Sequence, residues 1–158
     1  MLKINMLAIG SIKESYIKLG IEEYQNRLSR FVDLTITEVP EAVAKTSNKE
    51  DIKKALHVDA IYLKKLIPQG SYVIVLDRQG QSFHSEALAK RIDTIQQKSS
   101  QLTLIIGASH GIDESVLQLA KEKWSFSALT FPHQLFRLLL LEQLYRSMMI
   151  LKGHPYHK

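Results

Sequence analysis

The chain has 158 residues, of which 45% are apolar and 23% are charged; it has no cysteine, and its formal net charge is +5. This length suits one domain, residues 1–158, while the lack of cysteine excludes disulfides, thiolate metal sites and cysteine nucleophiles and fits a reducing compartment. The sequence pI of about 9.4 mildly favours a polyanionic partner, although an ordinary basic protein explains it equally well.

The first half of the sequence predicts two strands, each followed by a helix. Lys3–Ile9 is a mostly apolar run that predicts a buried strand, and Ser11–Glu14 matches a capping box that begins the first helix. Leu34–Val39 alternates apolar with polar residues, which predicts the second strand. A polar loop then leads to a second capping box at Ser47–Glu50, and the helix that follows ends before Pro68.

The second half continues the alternation of strands and helices. Tyr72–Leu76 is an unbroken apolar run, typical of a strand buried on both faces of a parallel sheet, and Gln101–Ile106 predicts a second doubly buried strand. Trp124–Leu129 predicts a last strand. The remaining segments predict three helices, which begin near Ser85, Asp113 and Pro132. The fold class is therefore α/β, with a single-domain, mostly parallel sheet flanked by helices.

The last helix is apolar on too many sides for a simple surface helix. Leu135, Leu138 and Leu139 follow one face, whereas Leu140, Leu144 and other apolar residues spread over the rest. Such a helix is buried on more than one side, which predicts either a deep core position or a subunit interface.

No stretch of the sequence predicts a membrane span. The apolar run of the last helix is interrupted by Arg137, Glu142 and Arg146, so no window reaches the roughly 20 apolar residues that a span needs. The N-terminal segment is too short and too polar for a secretory signal. We therefore expect a cytoplasmic protein without a membrane partner.

Three predicted strand ends are candidates for a ligand site, because ligands of open α/β sheets bind beyond the carboxyl ends of the strands. These ends are Leu76–Asp77, Ile106–Gly111 and Ala128–Pro132. The glycines that flank the second loop permit close approach of the backbone to a ligand, yet a tight strand-to-helix turn explains them as well. The loop matches neither a dinucleotide fingerprint nor a P-loop. No metal-binding motif is present, so we expect no catalytic metal.

The C-terminal tail carries three hydrogen-bonding rings within its last five residues: His154, Tyr156 and His157. Aromatic and imidazole groups of this kind suit stacking on a nucleobase or hydrogen bonding to one. A frayed or merely docked chain end is the ordinary alternative.

Taken together, these motifs resemble the RlmH family of SPOUT methyltransferases. The most specific combination is the Ser-Ala-Leu-Thr-Phe-Pro-His run with the His-Pro-Tyr-His end, and the resemblance covers essentially the whole chain. The segments that carry it are Met6–Gly10, Val75–Asp77, Leu104–Gly107, Gly111, Trp124–His133, Leu144–Arg146 and His154–His157.

The resemblance implies an S-adenosylmethionine-dependent enzyme that methylates N3 of a pseudouridine in large-subunit (23S) rRNA, on the large ribosomal subunit or the 70S ribosome. It also implies a homodimer and a SPOUT-type fold with a C-terminal trefoil knot, which physical priors alone would argue against. The homodimer agrees with the overly apolar last helix.

Carried over residue by residue, the resemblance assigns cofactor binding to three segments. Ala108 stands where the family usually has a second glycine, and a positive φ there would be strained. The implied cofactor-binding residues are Leu76, Gly107, Ala108, Ser127, Ala128, Leu129, Thr130, Phe131 and Pro132.

The implied RNA-facing groups lie in and before the tail. His154, Tyr156 and His157 are the candidate catalytic residues, and His133 or solvent is a further candidate to accept the N3 proton. The candidate RNA contacts are Arg137, Arg146, Lys152 and Lys158, with a possible second basic surface at Lys13, Lys18, Arg27 and Arg30. For any one of these charges, a solvated surface position is the ordinary alternative.

Two other functions remain open from the residues alone. The basic charge and the ringed tail also fit a non-catalytic RNA-binding or ribosome-associated protein, whose affinity would fall with salt. The glycine loop alone would fit a nucleotide-binding α/β enzyme of another kind, but the missing phosphate motifs argue against it.

Overall fold

The computed structural model describes residues 1–158 and contains five strands and five helices that alternate along the chain. The strands are β1 (Leu2–Ile9), β2 (Val32–Val39), β3 (Tyr72–Ser82), β4 (Gln101–Ile106) and β5 (Glu122–Ser125). The helices are α1 (Ser15–Leu28), α2 (Lys49–Leu66), α3 (Ser85–Gln96), α4 (Glu114–Leu117) and α5 (His133–Lys152). The strands form one sheet in the order β2-β1-β4-β3-β5, and every neighbouring pair is parallel. This confirms the predicted parallel α/β class.

Helices cover both faces of the sheet, because its central strands are apolar on both sides. One face packs against α1, α3 and α5, and Trp124 lies in the core between them. The other face packs against α2 and α4, where Leu63 and Val116 cover Val75 and Ile105. β4, at the centre, is buried along five of its six residues, as predicted for a strand covered on both faces.

The predicted helix caps are only partly correct. The capping box at Ser11–Glu14 does not form, because α1 begins at Ser15 and the Ile12 N–H instead donates to the Glu38 carboxylate at 2.8 Å. Asp113 does cap α4, and its carboxylate accepts from the Ser115 N–H at 3.0 Å. The caps of the other two helices lie one residue from the predicted ones, since Asn48 caps α2 in place of Ser47 and His84 precedes α3 in place of Ser85.

The edge of the sheet at β3 and β5 is irregular. β3 runs past its predicted end, but its register against β5 shifts between Leu76 and Gln81. Gly80 allows this arrangement, because a Cβ at that position would lie 2.5 Å from the carbonyl carbon of Lys123. The predicted last strand, Trp124–Leu129, has the wrong bounds, because β5 ends at Ser125 and residues 126–129 form a loop.

The apolar breadth of α5 comes from the core and not from an interface at Leu140 and Leu144. Both side chains are fully buried within one chain, where α5 lies on the sheet with α1 and α3 at its sides. Of the two alternatives that the sequence left open, the core position is therefore correct for Leu140 and Leu144, and a lysine at either position would place a charge in the core. None of the helices is long and apolar enough to cross a membrane.

The outward face of α5 retains apolar residues that the core does not use. Leu139 and Ile150 are half-buried and lie outside the core cluster. They are separated by 11 residues, about three helical turns, and therefore share one side of the helix. This pair, and not Leu140 or Leu144, is the apolar surface that α5 leaves outside the core.

Candidate active site

A cavity of about 730 Å³ lies at the carboxyl edge of the sheet. Its size falls within the range of about 300–1,000 Å³ that is typical of small-molecule sites. Because all five strands are parallel, the segments that follow β3, β4 and β5 meet at this edge. The first turn of α5 adds His133 and Phe136 to the lining. All three predicted strand ends contribute to this one cavity.

The loop after β4 depends on two glycines for different reasons. At Gly107 a Cβ would lie 2.7 Å from Ile112 Cγ1 and 2.8 Å from the Gly111 carbonyl oxygen, so only glycine fits without a shift. Gly111 has a φ of +86°, a conformation that favours glycine. Ala108 has no positive φ, so the strain expected at that position does not arise. The Gly111 N–H donates to the Ala108 carbonyl at 3.0 Å and closes the loop.

The loop after β5 is held by its own side chains and by the segment after β3. The Ser127 hydroxyl accepts from the Leu129 N–H at 2.9 Å, while the Ser125 hydroxyl donates to the Ser127 carbonyl at 3.2 Å. The Arg78 guanidinium donates to the Thr130 hydroxyl at 2.8 Å and ties two walls of the cavity together. These contacts order a segment that contains no regular secondary structure.

The predicted cofactor-binding residues are largely brought together by this cavity. Ala128 and Pro132 are exceptions, because both are exposed and neither lines it. The predicted residues that line it are Leu76, Gly107, Ala108, Ser127, Leu129, Thr130 and Phe131.

Sequence reasoning missed much of the apolar floor of the cavity. Phe136 packs edge-to-face on Phe126, with ring centroids 5.5 Å apart, and both rings line the cavity. Val75 and Ile106 close the bottom at the strand ends. The doubly buried strands signalled these last two residues, whereas nothing local in the sequence placed Phe136 beside Phe126. No three His, Asp or Glu residues in the chain lie together as a group that could hold a metal ion.

The tail is docked and not frayed. The Tyr156 hydroxyl donates to the Glu142 carboxylate at 3.1 Å and lies 3.4 Å from the Tyr24 hydroxyl. The Arg146 guanidinium lies 4.8 Å from the centroid of the Tyr156 ring and donates to Glu142 at 2.6 Å. Burial and the contact with Tyr24 raise the pKa of Tyr156 well above its usual value, so its phenol stays protonated.

His157 completes this group of tail contacts. Its Nδ1 lies 3.2 Å from the Arg146 guanidinium, and its Nε2 lies 2.8 Å from the Glu86 carboxylate on α3. The hydrogen bond with His157 lowers the pKa of Glu86. His154, in contrast, exposes its side chain to solvent.

The tail and the cavity lie at opposite ends of α5 within one chain. His133 begins the helix at the cavity, and the tail follows its last residue, Lys152. A helix of this length spans about 30 Å. The predicted catalytic residues therefore do not meet the predicted cofactor-binding residues of the same chain. Of the histidines predicted as proton acceptors, only His133 lines the cavity.

Arg137 is placed differently from the other predicted RNA contacts. Its side chain is 2% exposed, and its Nη2 donates to the carbonyls of Ile9 and Gly10 at 2.8 Å each. Its Nη1 lies 3.2 Å from the Glu38 carboxylate, and its Nε has no partner. Burial lowers the pKa of Arg137, whereas Glu38 acts in the opposite direction. The prediction that Arg137 contacts RNA is wrong, because it fastens α5 to the end of β1.

The other basic residues predicted to contact RNA differ in exposure and in whether their side chains already have partners. Lys152 and Lys158 are exposed, whereas Arg146 is bound to the tail and to Glu142. In the second basic surface, Arg27 pairs with Glu23 at 2.8 Å, and α1 also carries Glu22. That surface is therefore of mixed charge.

Comparisons with known proteins agree over the full length of the chain. A family model described as a predicted SPOUT methyltransferase matches residues 2–157. A ribosomal RNA large subunit methyltransferase H of Halothermothrix orenii is 44% identical over 99% of this chain and 100% of its own length. The protein of the same name from Legionella pneumophila is 37% identical, with 100% of both chains covered.

A solved structure adds support for the fold alone. A tRNA methyltransferase from Aquifex aeolicus is similar with a TM-score of 0.52 at 13% sequence identity. The match covers 92% of this chain and 69% of that chain.

Proposed function

This chain belongs to the SPOUT methyltransferase family, and on that premise we propose that it methylates N3 of a pseudouridine in 23S rRNA with S-adenosylmethionine as methyl donor. The observation that carries the proposal is the cavity at the carboxyl edge of the sheet, because it unites the loops to which the family resemblance assigns cofactor binding. The full-length relatives named for large-subunit ribosomal RNA support the substrate class.

The lining of the cavity suits an adenosyl ligand. Its apolar floor and the aromatic pair Phe126–Phe136 can cover an adenine ring, while backbone groups of the glycine loop can bind polar edges without a side chain between. When bound, S-adenosylmethionine supplies a methyl group already activated by its sulfonium. The task of the protein is then to hold the nucleophilic nitrogen in line and to exclude water.

Gly107→Ala is expected to lower the affinity for S-adenosylmethionine by about 10-fold or more, since overpacking by one methyl group typically costs about 1–3 kcal/mol. The physical reason is the Cβ contacts of 2.7–2.8 Å with Ile112 and Gly111. Isothermal titration calorimetry measures the affinity. Gly70→Ala is a control for a strained glycine substitution away from the cavity, because a Cβ there meets no atom within 4 Å but the φ of Gly70 is +79°. Equal affinity of Gly107→Ala and the wild type would contradict the proposed role of the loop.

The enzyme acts as a homodimer. Two copies of α5 related by a twofold axis perpendicular to the helix run antiparallel, and each contributes the same surface. Leu139 and Ile150 supply the apolar contact. In this arrangement the tail of one chain lies near the first turn of α5 in its partner, and therefore near the partner's cavity. His154, Tyr156 and His157 thus act in the site of the partner chain.

The double variant Leu139→Glu, Ile150→Glu is expected to be a folded monomer, because four like charges would face one another across the twofold axis. Analytical ultracentrifugation measures the mass, and circular dichroism monitors the fold. Leu119→Glu is a control, since this leucine is 47% exposed next to α4 on the opposite face of the sheet. A dimer that persists in the double variant would show that this face of α5 is not the interface.

The proton on N3 must leave before or during methyl transfer. His133 at the cavity and His154 or His157 of the partner's tail are the candidate groups for this task, because histidine is the side chain that most often acts as a general base. Arg146, Lys152 and Lys158 lie with the tail and bind the RNA backbone near the target base.

The rest of the proposal follows the family resemblance. Residues 1–158 form one SPOUT methyltransferase domain whose C-terminal segment is a trefoil knot. The enzyme works in the cytoplasm on the large ribosomal subunit or the 70S ribosome, and it uses no metal.

The proposal is tested by mass spectrometry of 23S rRNA from cells that lack the protein. One methyl group is expected to be missing from a pseudouridine, and the purified protein with S-adenosylmethionine is expected to restore it on ribosomes. A non-catalytic RNA-binding protein would bind the same ribosomes without transferring a methyl group. Absence of S-adenosylmethionine binding in calorimetry would overturn the proposal.

A further inference from the structure

The outer face of α2 is the most apolar exposed helix face of the molecule, and the proposed reaction does not use it. Four apolar side chains of this face are 41–53% exposed: Val58, Ile61, Tyr62 and Leu66. We define this face by Lys54, Val58, Ile61, Tyr62, Lys65 and Leu66. Exposed apolar groups collected on one face mark an interaction surface, whereas scattered ones do not.

The exposed charges of α2 after its first turn are all positive. Lys53, Lys54, Lys64 and Lys65 are exposed. The only acid between Lys53 and Leu66 is Asp59, which is 3% exposed and accepts the Ala42 N–H at 2.8 Å. It therefore adds no negative charge to the outer surface. The charges of α1 are mixed, as are those of α3, which carries Glu86 and Asp93 beside Lys90 and Arg91.

The lysines form two pairs at a fixed separation. Residues 53–54 and 64–65 are 11 positions apart, which corresponds to about three turns and about 16 Å along the helix. Tyr62 and Val58 lie between the pairs on the same side. Lys64 and His57 are near enough to Asp113 to help lower its pKa. Lys54 and Lys65 are the exposed lysines that share one side of the helix with Val58 and Tyr62.

We propose that the outer face of α2 is a second docking surface for ribosomal RNA, separate from the site of methyl transfer. This inference rests on the proposed function. Lys54 and Lys65 contact two stretches of phosphate backbone, and Tyr62 packs between them on a base or a ribose. A wholly positive surface with an exposed aromatic ring matches a polyanion that presents flat bases.

The position of the face supports a separate role. α2 and α4 cover one side of the sheet, whereas α1, α3, α5 and the tail cover the other. RNA held at α2 therefore does not compete with RNA at the tail. A second contact away from the target base would let the enzyme recognise the surroundings of that base on the ribosome.

The test compares the double variant Lys54→Ala/Lys65→Ala with a control double variant, Lys3→Ala/Lys98→Ala, which loses the same amount of positive charge. All four lysines are exposed, and the control pair does not lie on α2. Binding of the full-length protein to purified large ribosomal subunits is measured by co-sedimentation over a range of salt concentrations. We expect the α2 variant to bind about 10-fold more weakly than the control and its log–log salt slope to fall by about 2.

A second pair of variants tests the aromatic contact. Tyr62→Ala is expected to weaken binding by about 5-fold or more, whereas Tyr62→Phe retains the ring and binds as the wild type. Equal binding by the α2 double variant and the control would overturn the proposal. Loss of binding to the subunit without loss of binding to protein-free 23S rRNA would also overturn it, since a ribosomal protein would then occupy the face.

Failure of this inference can be distinguished from failure of the proposed function. Affinity for S-adenosylmethionine and methyl transfer at saturating ribosome concentration are expected to be unchanged in the α2 double variant. A wild-type protein that binds ribosomes through α2 without transferring a methyl group would refute the proposed function and leave the docking surface intact.

Discussion

Truncation after Gly153 is expected to reduce methyl transfer by about 100-fold or more, because loss of positioned acid–base groups typically costs about 100- to 10,000-fold. The truncation removes His154, Tyr156 and His157 and leaves the Gly153 cap of α5 in place. The fold should persist, since the tail packs on the helices from outside and none of its residues is fully buried. Calorimetry should show nearly unchanged affinity for S-adenosylmethionine, because no tail residue lines the cavity.

The same variant tests whether the tail acts on the partner chain. Mixed with Gly107→Ala, which keeps its tail and is assayed at an S-adenosylmethionine concentration too low to occupy its weakened cavity, it can form heterodimers with one complete site. Random exchange would make half of the dimers mixed, so about one quarter of all sites would be active. Native mass spectrometry verifies the exchange, and a methylation assay measures the recovery.

The outcome separates two arrangements of the dimer. Activity that rises on mixing two inactive variants requires a site built from both chains. A mixture that exchanges subunits yet stays as inactive as its components would contradict the proposed action of the tail across the dimer. Full activity of the truncated protein by itself would remove the tail from the reaction altogether.

Arg137→Met is expected to lower the free energy of unfolding by about 2–4 kcal/mol, because buried carbonyl groups would lose their donors. The guanidinium bonds the carbonyls of Ile9 and Gly10 from a fully enclosed position. Methionine has a similar length but offers no N–H group. Urea denaturation at a fixed protein concentration measures the change, since the proposed dimerisation would make stability depend on concentration.

Two further variants sharpen this prediction. Arg30→Met removes an exposed arginine and should change stability by no more than about 0.5 kcal/mol. Arg137→Lys should recover part of the loss, because an ammonium can still donate to the two carbonyls. Arg137→Met with the same stability as the wild type would show that these hydrogen bonds make no net contribution to the free energy of unfolding. The buried Arg137 Nε has no partner and already reduces their benefit.

Much of the fold could be predicted from local pattern. The mostly apolar segments Tyr72–Leu76 and Gln101–Ile106 are buried strands of a parallel sheet, because strands covered on both faces carry apolar residues at consecutive positions. The end of β3 could not be predicted, since the shifted register depends on Gly80 meeting the backbone of Lys123. That contact joins segments more than 40 residues apart, and no local signal reports it.

The candidate site, like the fold, could be predicted only in part. The sequence located the three strand ends, since parallel strands place their carboxyl ends at one edge. It could not distinguish Ser127, which lines the cavity, from the adjacent Ala128, which faces solvent. Which side of an irregular loop faces inward is decided by hydrogen bonds such as that from Leu129 to Ser127.

By itself, the sequence determined the α/β class, the order of the elements and the edge of the sheet at which a ligand binds. It determined these because periodicity and turn residues act over a few positions. Only the tertiary structure decided that Leu140, Leu144 and Arg137 are interior and that the tail lies about 30 Å from the cavity of its own chain. The composition of α5 left a core position and an interface equally open, because burial depends on which distant segments cover each face.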